Sequence, residues 1–162
     1  MSLLLRTVRE NRWHKSEAMP WLERGDVPAD PLGDLATSQH RLSVWDVAAD
    51  RSNLERIVRA VVTTKDKIAS MGYVLFDSSL LSDAGISIQV EEGATPDEEA
   101  NEWHRDLVDL SGNKLVVLTR LILQNGESGT VLKKRLEELV EQGLERKELP
   151  DKLRSKLAPR SS

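Results

Sequence analysis

Residues 41–77, RLSVWDVAADRSNLERIVRAVVTTKDKIASMGYVLFD, are the stretch on which the fold turns. Arg41–Val47 sets apolar Leu42, Val44 and Val47 among more polar positions, a pattern that suits a strand. Ser52-Asn53-Leu54-Glu55 has the form of a capping box, with a hydroxyl to accept a backbone N–H and a carboxylate to reach back. The helix it opens places Leu54, Ile57, Val58, Val61, Ile68 and Ala69 on one face, and Arg56, Arg59, Thr63 and Lys67 on the other. Met71-Gly72 ends it, and Tyr73–Asp77 then reads as a buried strand. Strand, helix, strand in that order predicts a βαβ unit, with parallel strands and a right-handed crossover.

Working outward, Leu3–Val8 suits a further short strand, and Ile86–Val90 alternates again after a turn at Asp83-Ala84-Gly85. A hairpin with Tyr73–Asp77 is its simplest pairing. Between residues 20 and 40, three prolines (Pro20, Pro28, Pro31) with Gly25 and Gly33 predict an irregular connection. Thr95-Pro96-Asp97-Glu98 is a helix start: Thr95 as cap, Pro96 in the first turn, Glu98 closing the box. That helix carries Ala100, Trp103, Leu107 and Leu110 inward. Ser111-Gly112-Asn113 breaks or kinks it before Lys114–Gln124, which is apolar nearly all round and so belongs in a core or under another chain. From Thr130 another helix carries Leu132, Leu136, Leu139, Val140 and Leu144. Leu149, Leu153 and Leu157 then recur every four residues. The expected architecture is α+β: a small three- to four-stranded mixed sheet containing one βαβ unit, then a helical C-terminal half. Residues 1–145 would form one domain with an irregular segment at 20–40, and residues 146–162 a charged amphipathic extension.

Composition narrows the function classes. The chain has 162 residues, enough to bury a core without a metal or disulfide staple. It has no cysteine, which excludes disulfides, thiol catalysis and Cys-ligated metal sites. With 23 basic and 27 acidic residues the net charge is −4, so no global field draws DNA or a membrane. The longest apolar runs are far short of the roughly 20 residues a membrane span needs. A soluble, cytoplasmic protein is the expectation.

Four groups of residues are candidates for chemistry or binding. Asp46 and Asp77 lie at the ends of two strands expected to be parallel neighbours, where α/β folds place ligands. Paired carboxylates there would hold Mg²⁺ or act as acid and base on a phosphate-bearing substrate. No glycine-rich phosphate loop follows either strand. Residues 91–109 are acidic, with Glu98, Glu102 and Asp106 four residues apart near Trp103, a docking face for a basic partner. Arg6, Arg9, Arg12 and Lys15, interleaved with Trp13, have the cation-plus-aromatic composition that suits nucleic acid. The leucine stripe through Leu136 and Leu153, flanked by charges of both signs, resembles a helix that pairs with another. The histidines show no metal-ligand spacing.

None of these groups has a nucleophile, an oriented base and a place for developing charge. The sequence therefore favours a non-catalytic interaction protein: an accessory subunit, an adaptor, or an antitoxin- or immunity-type inhibitor. It would need no cofactor, and would bind a protein partner or its own copy through Glu98, Glu102, Trp103, Asp106, Leu136 and Leu153. The alternatives are the metal-dependent enzyme built on Asp46 and Asp77, and nucleic-acid binding through the basic N-terminal segment.

Overall fold

A computed structural model of the chain describes residues 2–13 and 19–157. The strands and helices follow in chain order: β1 (Leu3–Val8), α1 (Ala29–Asp34), β2 (Leu42–Val47), α2 (Leu54–Val62), β3 (Met71–Asp77), α3 (Ser79–Asp83), β4 (Ser87–Val90), α4 (Glu98–Asn101), β5 (His104–Val108), α5 (Gly112–Asn125), β6 (Glu127–Val131) and α6 (Lys133–Glu145). A 3-10 turn at Glu10–Arg12 follows β1, and another spans Asp151–Lys156.

The strands form one six-stranded sheet in the order β4-β5-β2-β1-β3-β6, every neighbouring pair antiparallel. Leu3-Leu4-Leu5 explains why β1 sits inside it. Successive side chains of a strand point to opposite faces, so a continuous apolar run belongs where both faces are covered. Leu5 joins Trp45, Val47 and Leu75 under Ile57 and Val58 of α2 and Leu136, Val140 and Leu144 of α6. Leu4 joins Val44, Val74, Phe76 and Leu107 on the other face, under Leu35, Leu81, and Leu118 and Ile122 of α5. The molecule is thus three layers, helices on both sides of an antiparallel sheet. Leu149 and Leu153, beyond α6, pack into the first of these cores.

The α+β class stands, but the small mixed sheet is corrected. The sheet has six strands rather than three to four, and no two neighbours are parallel. β2 and β3 do run parallel to each other, because both are antiparallel to β1, which lies between them. The expected βαβ unit is therefore split by the N-terminal strand.

The helix expected from Thr95 to Leu110 is also replaced. Asp97, not Thr95, caps a helix of only four residues, its carboxylate accepting from the Ala100 N–H at 3.2 Å. The chain then extends into β5, pairing with β2 on one side and β4 on the other. Trp103 and Leu107, read as one helical face, point into opposite cores. The C-terminal half is accordingly not all helical: it also contains β6, where Thr130 lies in a strand and the next helix starts three residues later. Ser111 opens α5 rather than breaking a helix, its hydroxyl accepting from the Lys114 N–H at 3.2 Å.

The capping box at Ser52 does not form either. α2 starts at Leu54 without a side-chain cap bond; Glu55 instead takes Arg135 of α6 in two hydrogen bonds of 2.8 and 3.0 Å. α2 ends at Val62, where Thr63 and Thr64 return their hydroxyls to the carbonyls of Ala60 and Val61.

At Gly72 of β3 the 3-10 turn after β1 folds close over the strand. A Cβ there would stand 2.7 Å from both the Glu10 backbone nitrogen and the Val8 carbonyl oxygen. Both obstacles are backbone, so relief requires a strand to move. Gly72→Ala is expected to cost about 1–3 kcal/mol, read as a lower urea midpoint. A wild-type midpoint would mean that the turn yields freely.

Candidate functional site

Among the described residues, three clusters of polar side chains bear on the candidate sites. The first joins α2, the start of α4 and the turn that follows α6. Asp97 is fully buried, and its carboxylate accepts from Arg56 at 2.8 and 3.0 Å and from Arg59 at 2.8 Å. Glu148 shares both cations, at 2.9 Å from Arg56 and 3.2 Å from Arg59. Burial alone would raise Asp97, but the hydrogen bonds from Arg56, Arg59 and the Ala100 N–H outweigh it. The carboxyl lies below its ordinary range. Its oxygens are occupied by protein donors, which makes this network a clamp between elements rather than a binding site.

The second cluster centres on Asp34, at the end of α1. Its carboxylate accepts from the Arg9 N–H at 3.1 Å, from the Arg12 guanidinium at 3.2 Å and from the Trp13 indole N–H at 2.9 Å. Arg6 reaches the Ser43 and Asp34 carbonyls at 3.0 and 3.4 Å, and burial lowers its pKa against the opposing pull of Asp34. Trp13 is buried in the second core. Of the basic N-terminal residues, Arg9 is exposed and Arg6 and Arg12 are half-buried; Lys15 lies outside the described residues.

The third cluster sits where β2, β5 and β4 meet. Arg41 lies 3.2 Å from Asp106 and 3.6 Å from Glu91, and donates to the Gln89 side-chain oxygen at 3.4 Å. His104, packed edge-on to Trp45, has Nδ1 2.9 Å from the Glu91 carbonyl. A carbonyl only accepts, so Nδ1 donates to it, and Nε2 faces Asp106 at 3.6 Å. Among the described residues, no group of three or more His, Asp or Glu side chains is placed to hold a metal ion.

Asp46 and Asp77 do not come together. In antiparallel pairing, opposite residues share a face. Asp46 lies opposite Leu4, and Asp77 opposite Leu3, so the two carboxylates project from opposite faces with β1 between their strands. Asp46 is 3.4 Å from Arg105. Asp77 accepts from the Ser79 N–H at 2.8 Å, which holds it below the usual carboxylate range.

The expected partner-binding residues also separate. Glu98 and Glu102 are exposed, while Trp103 is half-buried with the Arg56 guanidinium 5.8 Å over its ring. Asp106, Leu136 and Leu153 are buried. Two sheet edges stand open among the described residues, the outer sides of β4 and of β6, and of the two only β4 is exposed along its whole length. All four of its residues are exposed, with Ile88 at 43% and Val90 at 78%. Among the described residues no strand pairs with its outer side.

An acidic rim continues from that strand. Glu91 and Glu92 follow it directly, and the Gly93 N–H donates to the Asn101 carbonyl at 2.9 Å, bringing Glu102 alongside. The alternation of Ile86–Val90 was the available signal for this edge. Its position at the rim of the sheet depends on β5, which reads as a helix in the sequence. No protein-family model, curated protein or solved structure matches the chain.

Proposed function

We propose that the chain is a non-catalytic binding protein, an accessory or adaptor-type component that engages another polypeptide at the β4 end of its sheet. The observation that carries this reading is the open β4 edge with two exposed aliphatic side chains. A sheet edge offers unpaired backbone N–H and C=O groups, and proteins ordinarily blunt such edges with charge, proline or a covering element. Here the strand itself carries Ser87, Ile88, Gln89 and Val90. The acidic rim beside it favours a basic partner, with association that weakens as salt screens the charges. The other readings gain less support: Arg6, Arg12 and Trp13 are bonded to Asp34 and its surroundings, and Asp46 and Asp77 stand on opposite faces.

The test compares tagged wild-type protein with Ile88→Lys/Val90→Lys in nuclease-treated lysate of the source organism. A stoichiometric protein band held by the wild type and lost with the variant is the expected result. A band retained equally by both, or none with either, overturns the reading. Both substitutions fall on exposed positions, so the variant is expected to keep the wild-type circular dichroism and melting temperature.

A further inference from the structure

We infer that the β4 edge takes an extended peptide segment in which basic and apolar residues alternate, added as a seventh strand. This rests on the binding function proposed above and names the occupant. The argument follows the register across β4, β5 and β2. Ile88 lies opposite Leu107, and Leu107 opposite Leu42; Val90 lies opposite Arg105, and Arg105 opposite Val44. Leu42, Val44 and Leu107 belong to the second core, so Ile88 and Val90 extend that face to the rim of the sheet.

Gln89 lies opposite Asp106, which lies opposite Ser43, on the other face. There Arg41 ties Gln89 to Asp106 and Glu91. The edge therefore offers aliphatic side chains on one face and acceptor-rich, acidic ones on the other.

A strand added to an edge obeys the same rule. Its residues opposite Ile88 and Val90 would lie beside aliphatic carbon, and those between them beside Gln89 and Glu91. Apolar side chains satisfy the first positions and lysine or arginine the second. Glu92 and Glu102, exposed and without an ion-pair partner among the described residues, extend the negative potential past the end of the strand. A second copy of this chain fits less well. Antiparallel pairing of two β4 edges would bring a second Glu91-Glu92 pair to the same short ladder, where like charges repel.

The experiment uses the isotope-labelled full chain at low ionic strength and three capped eight-residue peptides: alternating Lys-Val, Lys-Ser and Glu-Val. With Lys-Val, amide shift changes are expected at Ser87–Val90 and Glu91–Gly93, with slowed hydrogen exchange on β4. Glu-Val is expected to bind roughly tenfold or more weakly, because like charges meet on one face. Lys-Ser is expected to fall between, and Ile88→Lys to abolish the Lys-Val response while the fold is kept.

Equal binding of Lys-Val and Glu-Val, shifts confined to another surface, or no Lys-Val binding at millimolar peptide would each overturn the assignment. So would a dimer of the chain alone that Ile88→Lys dissolves, which would make a second copy the occupant. If the peptides fail while the lysate band still depends on Ile88 and Val90, the binding function stands and only the alternating code falls.

Discussion

Asp97→Ala is expected to destabilise the protein at pH 7 by about 3–5 kcal/mol, the cost typical of removing one partner from a buried ion pair. For a chain of this size that corresponds to a fall in melting temperature of roughly 10 °C. The substitution leaves Arg59, only 3% exposed, with the partly exposed Glu148 as its remaining anionic partner. It also removes the cap bond to Ala100, so α4 loosens at the same time.

The pH dependence has a definite sign. Asp97 lies below its ordinary pKa in the folded state, so its contribution is complete above the unfolded value of about 3.9 and disappears as pH falls through the folded value. The gap between wild type and variant should therefore narrow progressively below pH 4, because the wild type loses its carboxylate as well. Urea unfolding at pH 7 and pH 3 tests both halves. A difference under 1 kcal/mol at pH 7 would show that the network is solvated and contributes little.

Leu136→Ala is expected to cost about 2–5 kcal/mol, the range for truncating a fully buried leucine. Leu136 is 0% exposed, between α2 and the sheet, in one core with Leu139, Val140 and Leu144. The loss should be the same at low and high protein concentration. A residue held in an interface would behave otherwise, since association stabilises by mass action and its loss depends on concentration. Unfolding curves at two concentrations a hundredfold apart separate the two roles, and a concentration-dependent loss would return Leu136 to a partner-binding role.

How much of this was legible in the sequence depended on how many apolar residues each element carried. β2 was legible from the alternation of Leu42 and Val44 and β3 from the short apolar run Val74 to Phe76, whereas Leu3-Leu4-Leu5 fitted a strand without excluding a helix. β5 was not legible. Trp103, Leu107 and Leu110 satisfy helical spacing, and the strand's own alternation is obscured because His104 and Asp106 are polar yet buried. What decided in favour of strand was tertiary: β2 and β4 supply ladders on both sides of it.

β6, with Ser128, Gly129 and Thr130 at its centre, has too little apolar surface to register in a pattern search. The candidate site was half legible in the same way. The acidity of residues 91–102 is plain, whereas the exposed edge exists only once the neighbours of β4 are known. Likewise nothing local links Arg56 or Arg59 to Asp97, which stands 41 and 38 residues further along the chain.

The central place of β1 constrains the order in which the protein assembles. Remove that strand and the sheet falls into two separate pieces, β4-β5-β2 and β3-β6, that share no backbone ladder. β1 is thus a keystone made before both of its flanks, residues 42–47 and 71–77. One of its two edges stays unpaired until the later flank, β3, has been made. Closing such distant pairs incurs loop entropy before any ladder forms, which slows folding relative to a meander of the same strands. In that interval Leu3-Leu4-Leu5 is apolar surface without its cover, the kind of segment through which incompletely folded chains associate.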